Sequence, residues 1–486
     1  MNNYFKYFFT VIVISCILQS CKDDDNAFDK SPSERLEDAK VELKQVLISA
    51  EDGWEFVYFT DSASYGGYNF LMSFTDKEVT VQGGNLFPSG KHKSSYALDF
   101  PQSLALTFDS YNTAFSLLGD PDKNSLTSAS SSLGGENSLL WLRTSENKDT
   151  IFFKSKNSHT PSKMIRHNGD WDSYISRINL MSEKFSGGSM NKYFREIVLA
   201  DGTSRLFTGY DYITRTLSPL TVSGDYVYVN NNGVAPVSDG FLFTKPVDIN
   251  GKNVSKIMYD DTQGIFTVDA EGTTGTMKSV AEPSFVFAGK DGQPLNKMIF
   301  LPKEMYSLSG ATPEVWEALD SVLQKSYRIL NDQYHVWKDY YGMIFYPISY
   351  SDTKEYAYHS LGMMFINDGD DPNSDEDDAL DFVVEVRWFN EQVDLDNSRT
   401  DKLSIKRPFL NRWDYSCYKD DDKGHTDIFT VDPEIKTYLT QALSLLATST
   451  AGSPYIIIPS SDFKSFTFGS TERNSYFKMN FVRKFE

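Results

Sequence analysis

Six histidines, 67 carboxylates and three cysteines are the groups in this 486-residue chain that could carry chemistry. His92, His159, His167, His335, His359 and His425 never stand four residues apart, so no pair can grip zinc from one helix face. The chain has no Gly-x-Ser-x-Gly elbow, no phosphate loop and no dinucleotide fingerprint. Cys417 would need a histidine base to act as a nucleophile, and none stands at a recognisable spacing. Two carboxylates a few ångströms apart suffice to cleave a glycosidic bond. A carboxylate-based hydrolase therefore stays open, although no catalytic residue can be nominated and no cofactor is expected.

Two segments could bind rather than react. In "DGDDPNSDEDDALD" (Asp368–Asp381), Asp371, Asn373, Asp375 and Asp377 supply oxygens at alternate positions, as a calcium loop requires. Glu376 replaces the glycine of the sharp turn, and Phe382 stands where a bidentate glutamate belongs, so a solvated loop is the better account. In "RPFLNRWDYSCYKDDDKGH" (Arg407–His425), Trp413, Tyr415 and Tyr418 lie between turn residues. Trp413 and Tyr415 share a face if the segment is extended, and flat rings there could stack on sugars or peptide side chains. Packing in a strand core competes with this reading. The turn Tyr65-Gly66-Gly67-Tyr68 is a reserve ligand candidate, its glycines better accounted for by turn geometry.

The N-terminus gives an address. Lys6 is the only charge before an apolar run of about 12 residues, Tyr7–Leu18, whereas a membrane-spanning helix needs roughly 20. The run reads as a signal peptide over residues 1–20. Leu18-Gln19-Ser20-Cys21 resembles the bacterial lipobox, which makes Cys21 the expected lipidation site; Val13-Ile14-Ser15-Cys16 also fits but would shorten the apolar region to about eight residues. Acyl chains contribute about 0.8 kcal/mol per buried methylene, enough in combination to hold a protein on a membrane. Lys22-Asp23-Asp24-Asp25 resembles the export signal that sends Bacteroidetes lipoproteins to the cell surface, with residues 21–30 as an acidic tether. Loss of residues 1–20 removes Lys6 and moves the formal charge from −20 to −21, a surface that repels nucleic acid. With Cys16 lost and Cys21 acylated, Cys417 would be the only free thiol, so no intramolecular disulfide is expected.

Few helices are signalled. Ser31-Pro32-Ser33-Glu34 is a capping box ahead of an apolar stripe of Leu36, Ala39, Leu43, Val46, Leu47 and Ala50. The stripe is expected to pack on a sheet starting at Trp54. Further helices are expected from Asp170, Thr312-Pro313 and Asp432-Pro433. Between them the period falls to two in "EFVYF", "NFLMSF", "TIFFK", "YFREIVL", "DYVYV", "KIMYD", "MIFYPISY", "FVVEVRWF", "SPYIII" and "YFKMNFV". Strands in succession argue for an α+β fold of antiparallel sheets with a few packed helices. With "SGGS" (Ser186–Ser189) as the boundary, an N-terminal α+β domain is expected over 31–186 and a C-terminal one over 191–486; a split near 305 would make three.

Ala50-Glu51-Asp52-Gly53-Trp54, Tyr65-Gly66-Gly67-Tyr68-Asn69, Phe108-Asp109-Ser110-Tyr111-Asn112 and the strand pair from Leu142 to Met164 follow the lipobox in order. This set resembles the Bacteroidetes lipoproteins grouped as domain of unknown function 4302, well over residues 15–185 and loosely beyond. The loop before Leu139 departs from that pattern in being serine-rich. The resemblance implies an accessory protein of a nutrient-uptake locus, held in the outer membrane by its lipid and facing outward. Its partners there would be a TonB-dependent transporter and the transporter's surface lipoprotein. It implies no catalytic residues. The leading function is a non-enzymatic lipoprotein that binds a nutrient ligand (glycan or peptide) or a partner. A surface hydrolase of the same locus, or an adhesive or assembly subunit donating its C-terminal strand "SYFKMNFVRKFE", are the alternatives.

Overall fold

The computed structural model describes residues 30–101, 103–121, 132–223, 226–298, 304–312, 338–349, 357–367, 382–389, 393–405, 415–417 and 453–484. Helix α1 (Pro32–Ile48) begins as its capping box dictates. Ser31 Oγ accepts from the Glu34 amide at 3.3 Å, and the Ser31 amide donates to Glu34 Oε2 at 2.9 Å. Leu43, Val46, Leu47 and Ala50 are buried as expected. Leu36 is not: residues 33–38 are all exposed, and Leu36 is 43% accessible, because the first turns of α1 lie free of the core. At the other end, Trp54 Nε1 donates to Leu47 O at 2.9 Å and pins the last turn to the first strand. Gly53 makes the corner between them at φ +86°, a region open to glycine.

Eight antiparallel strands then close into a barrel: β1 (Trp54–Phe59), β2 (Gly67–Phe74), β3 (Glu78–Gly83), β4 (His92–Asp99), β5 (Ala105–Phe108), β6 (Ser138–Thr144), β7 (Thr150–Ser155) and β8 (Pro161–Arg166). β1 completes the ring by pairing with β2 (Trp54↔Met72) and with β8 (Trp54↔Arg166). Alternation sends Phe56, Tyr58, Phe70 and Phe153 inward, where they meet Phe87 and Phe115 from the connections. Ring centroids at 5.3 Å (Phe56–Tyr58), 4.7 Å (Phe70–Phe87) and 4.2 Å (Phe108–Phe115) show a lumen filled with aromatic side chains, as befits a barrel of eight strands.

Helix α2 (Trp171–Ser186), capped by Asp170, leads out of the barrel. Its first half packs Trp171, Tyr174, Ile175 and Ile178 on Leu71 of β2, and its second half packs Met181 and Phe185 on a second sheet. That sheet has seven antiparallel strands, β9 (Phe194–Leu199), β10 (Ser204–Phe207), β13 (Val234–Val237), β14 (Gly240–Ile249), β15 (Lys252–Asp260), β16 (Ile265–Ala270) and β17 (Thr273–Val280), in the order β10-β9-β17-β16-β15-β14-β13. A separate hairpin, β11 (Leu220–Ser223) with β12 (Tyr226–Val229), projects from it. One α-helix thus serves two cores, and Ser186–Ser189 runs between α2 and β9.

A third, ten-stranded antiparallel sheet follows: β18 (Glu304–Ala311), β19 (Lys338–Ser349), β20 (Ala357–Asn367), β21 (Phe382–Phe389), β22 (Val393–Leu395), β23 (Lys402–Ile405), β24 (Tyr415–Cys417), β25 (Ser453–Pro459), β26 (Ser465–Ser470) and β27 (Tyr476–Lys484). Its order is β22-β23-β25-β26-β27-β18-β19-β20-β21-β24. The C-terminal strand β27 pairs with both β26 and β18. It is an interior strand here and not an unpaired one. The architecture is that of antiparallel sheets with a few packed helices, in more than one domain. The helices expected after Thr312 and Asp432 fall outside the described residues.

Candidate functional site

The residues nominated by sequence are mostly beyond the described part. Cys21, Lys22, Asp23, Asp24 and Asp25 lie outside it, as do Trp413, Tyr418 and the calcium candidates Asp371, Asn373, Asp375 and Asp377. Tyr415 opens β24 opposite Val384, at the end of the ten-stranded sheet. Among the described residues no three or more of His, Cys, Asp and Glu converge as a metal site would require.

The Tyr65–Asn69 turn is described in full, and it faces protein. Gly66 N donates to Thr214 O at 2.8 Å. Tyr68 is 1% exposed, and its hydroxyl donates to Ile213 O at 2.8 Å. Burial pushes this phenol well above its ordinary pKa, so it stays a donor at any physiological pH. Asn69 reaches further, with Nδ2 3.0 Å from the Tyr174 hydroxyl and 3.3 Å from Pro236 O. The whole Gly-Gly-Tyr-Asn run is therefore the clasp between the barrel, α2 and the second sheet. The ligand reading of this turn is replaced by a structural one, since Gly66, Tyr68 and Asn69 each donate to another part of the protein, at Thr214, Ile213, Tyr174 and Pro236.

From Asn69 a polar chain continues along α2. Tyr174 donates to Glu55 Oε2 at 2.8 Å, and Glu55 Oε1 lies 3.0 Å from His167 Nδ1. The His167 ring packs edge-on against Tyr174, centroids 5.0 Å apart. Burial, followed by the nearby Glu55 charge, raises the Tyr174 pKa far above the ordinary range. Tyrosine, glutamate and histidine in sequence resemble an acid–base relay. However, His167 is 4% exposed, and each Glu55 oxygen already has a protein partner. The group fixes the orientation of α2 on β1.

Residues 24–261 match the family model described as Domain of unknown function (DUF4302). That part of the chain belongs to the DUF4302 family. No curated protein and no solved structure matches.

The DUF4302 region thus takes in α1, the barrel, α2 and the second sheet through β15, and it contains both halves of the clasp around Gly66 and Tyr68. Sequence reading missed Glu55, His167 and Tyr174 as a group, because they stand 112 and 119 positions apart along the chain. One signal was present: Glu55 interrupts an otherwise apolar strand, and a carboxylate on a covered sheet face requires partners.

A second junction joins the DUF4302 region to the ten-stranded sheet. Tyr476 donates to Asp211 Oδ2 at 2.9 Å, Asn474 Nδ2 donates to Tyr210 O at 3.3 Å, and Lys192 Nζ donates to Glu472 O at 2.9 Å. Asp211 also caps the amides of Ile213 and Thr214, so the carboxylate reaching Tyr476 holds the loop on which the Gly66 clasp closes.

Proposed function

We propose that this chain is a lipid-anchored cell-surface protein that binds a nutrient ligand, a glycan or a peptide, or a protein partner for a TonB-dependent uptake system of the outer membrane. The observation that carries the reading is Cys21, placed after the apolar run Tyr7–Leu18 and directly before Lys22-Asp23-Asp24-Asp25. The filled barrel supports it in one respect. With Phe56, Tyr58, Phe70, Phe115 and Phe153 occupying the lumen, the barrel's ligands or partners meet its outer surface and loops.

Protease treatment of intact cells should degrade the wild-type protein. Changing Asp23, Asp24 and Asp25 together to alanine should protect it by leaving it on the periplasmic face. Equal degradation of both would refute outward export through this signal.

Trp413, Tyr415 and Tyr418 are the proposed ligand aromatics. Electrophoresis through gels containing a panel of uncharged polysaccharides should show retardation of the wild type. In the Trp413→Ala, Tyr415→Ala variant retardation should be abolished while the melting temperature is unchanged. A lowered melting temperature would assign the rings to the core.

A further inference from the structure

The outer wall of the barrel over β6–β8 has a character opposite to the chain as a whole. Arg143, Lys148, Lys154, Lys156, Lys163 and Arg166 stand against only Glu146 and Asp149 between residues 141 and 166, a balance of six minus two, +4, in a chain of −20. Both acids sit in the β6–β7 turn, where Asp149 pairs with Arg166 at 3.3 Å. Register gathers the cations: Arg143 lies opposite Phe152, Phe152 opposite Lys163, and Lys154 follows Phe152 on the same face. The register shift between Trp141 and Arg143 leaves both Leu142 and Arg143 exposed, as a bulge re-aims side chains. The Arg143 guanidinium lies 3.7 Å from the Phe152 ring centroid, which holds it flat against the wall.

Arg143, Lys154 and Lys163 make no ion pair with any described residue. Some cations elsewhere on the surface do find carboxylates: Lys44 pairs with Asp76, Lys256 with Asp239, Lys252 with Asp201 and Arg177 with Asp261. The nearest carboxylate on the adjoining strand, Glu55, is committed to Tyr174 and His167.

We propose that this wall binds a polysaccharide bearing carboxylates, with Arg143, Lys154 and Lys163 contacting the anionic groups. Strand spacing puts Arg143 and Lys163 about 10 Å apart across β7, and the diagonal from Lys163 to Lys154 is about 7–8 Å. One carboxylate cannot span these distances, so the ligand repeats its charge. A closed barrel has no free edge, so a peptide cannot add to it as a strand. Nucleic acid places a charge about every 1.7 Å along its axis and would meet the surrounding acidic surface as well. Sparse carboxylates on sugar rings suit three spaced cations, and Leu142, Phe152 and Ile165 offer apolar contact to the C–H faces of the rings. Attraction is local because charges beyond about 8 Å are screened at physiological salt.

This inference rests on the ligand-binding reading of the protein, but its test does not depend on localisation. Purified protein is measured against polygalacturonate, with dextran, polyglutamate and phosphatidylglycerol vesicles as comparators. Binding of polygalacturonate alone, weakened as salt rises, is expected. The triple variant Arg143→Gln, Lys154→Gln, Lys163→Gln should bind about tenfold or more weakly with the melting temperature kept. If the triple variant does not fold, Lys154→Gln and Lys163→Gln singly should each bind about threefold more weakly. Absence of polygalacturonate binding, equal binding by dextran, polyglutamate or vesicles, or undiminished binding by the folded variants overturns the proposal. Failure in cell-surface protease treatment would remove the address and leave this result standing.

Discussion

Gly66→Ala should lower the melting temperature of the unit formed by the barrel and second sheet by about 6–12 °C. A Cβ at Gly66 would stand 2.6 Å from Val234 O and 2.6 Å from Arg215 Cβ, and closer still to Arg215 O. Real Cβ atoms essentially never come within 3.0 Å of other heavy atoms, and two of these neighbours are backbone oxygens that cannot swing aside. Relief requires the loop carrying Thr214 and Arg215 to retreat, which breaks the Gly66 N to Thr214 O bond and strains the Tyr68 to Ile213 bond beside it. Overpacking costs about 1–3 kcal/mol, and backbone crowding belongs at the upper end. For a unit of this size each kcal/mol lowers the midpoint by about 2–4 °C. Gly187→Ala is the control, because its Cβ would meet Glu183 O at an ordinary 3.5 Å. Calorimetry giving the two variants the same midpoint would mean that the clasp is not tight at Gly66.

The same clasp marks the limit of what sequence reading could reach. A Gly-Gly-Tyr turn is visible as a turn, and two reasons for its glycines can be weighed from local rules, turn geometry and ligand approach. The structure supplies a third, close approach of another sheet, whose partner residues lie far along the chain. Tyr68 and its acceptor at Ile213 are 145 positions apart. Local features were legible because their causes are local: the capping box starts α1, Asp170 starts α2, and period-two runs mark strands that are present from β1 to β27. Pairing was not, since alternation shows which side chains share a face but not which strand lies alongside. Closure of β1 on β8 is of this kind. Leu36 failed for a different reason: a helical stripe shows which residues could be buried, while the length of the surface beneath decides how many are. The β6–β8 wall illustrates the same point, as its cations become a cluster only through the register Arg143↔Phe152↔Lys163.

Arg195→Ala should destabilise the protein by about 3–5 kcal/mol, the largest effect expected of a single surface-remote substitution here. Arg195 is fully buried on β9, and burial pulls its pKa down to about 9, so it is still charged at neutral pH. No carboxylate is among its described hydrogen-bond partners. Nη1 donates to Lys192 O at 2.9 Å, Tyr193 O at 3.1 Å and Asn474 Oδ1 at 3.3 Å; Nη2 donates to Phe185 O at 2.8 Å and Met190 O at 2.9 Å. One planar guanidinium therefore ties the end of α2, the turn through Met190, the start of β9 and the β26–β27 turn of the C-terminal sheet. Alanine orphans three buried carbonyls, Tyr193 O, Phe185 O and Met190 O, and the half-buried Lys192 O, and each buried group left unpaired costs about 1–3 kcal/mol before water partly refills the site. Arg195→Lys separates charge from geometry: a lysine keeps the charge but has no planar fork, so it should recover less than half of the loss. Amide exchange should quicken in both variants through the C-terminal turn of α2 and residues 187–193, ahead of the barrel strands. Exchange that speeds up evenly over barrel and sheets would show that Arg195 acts on global stability and not as the tie between α2 and the strands beyond it.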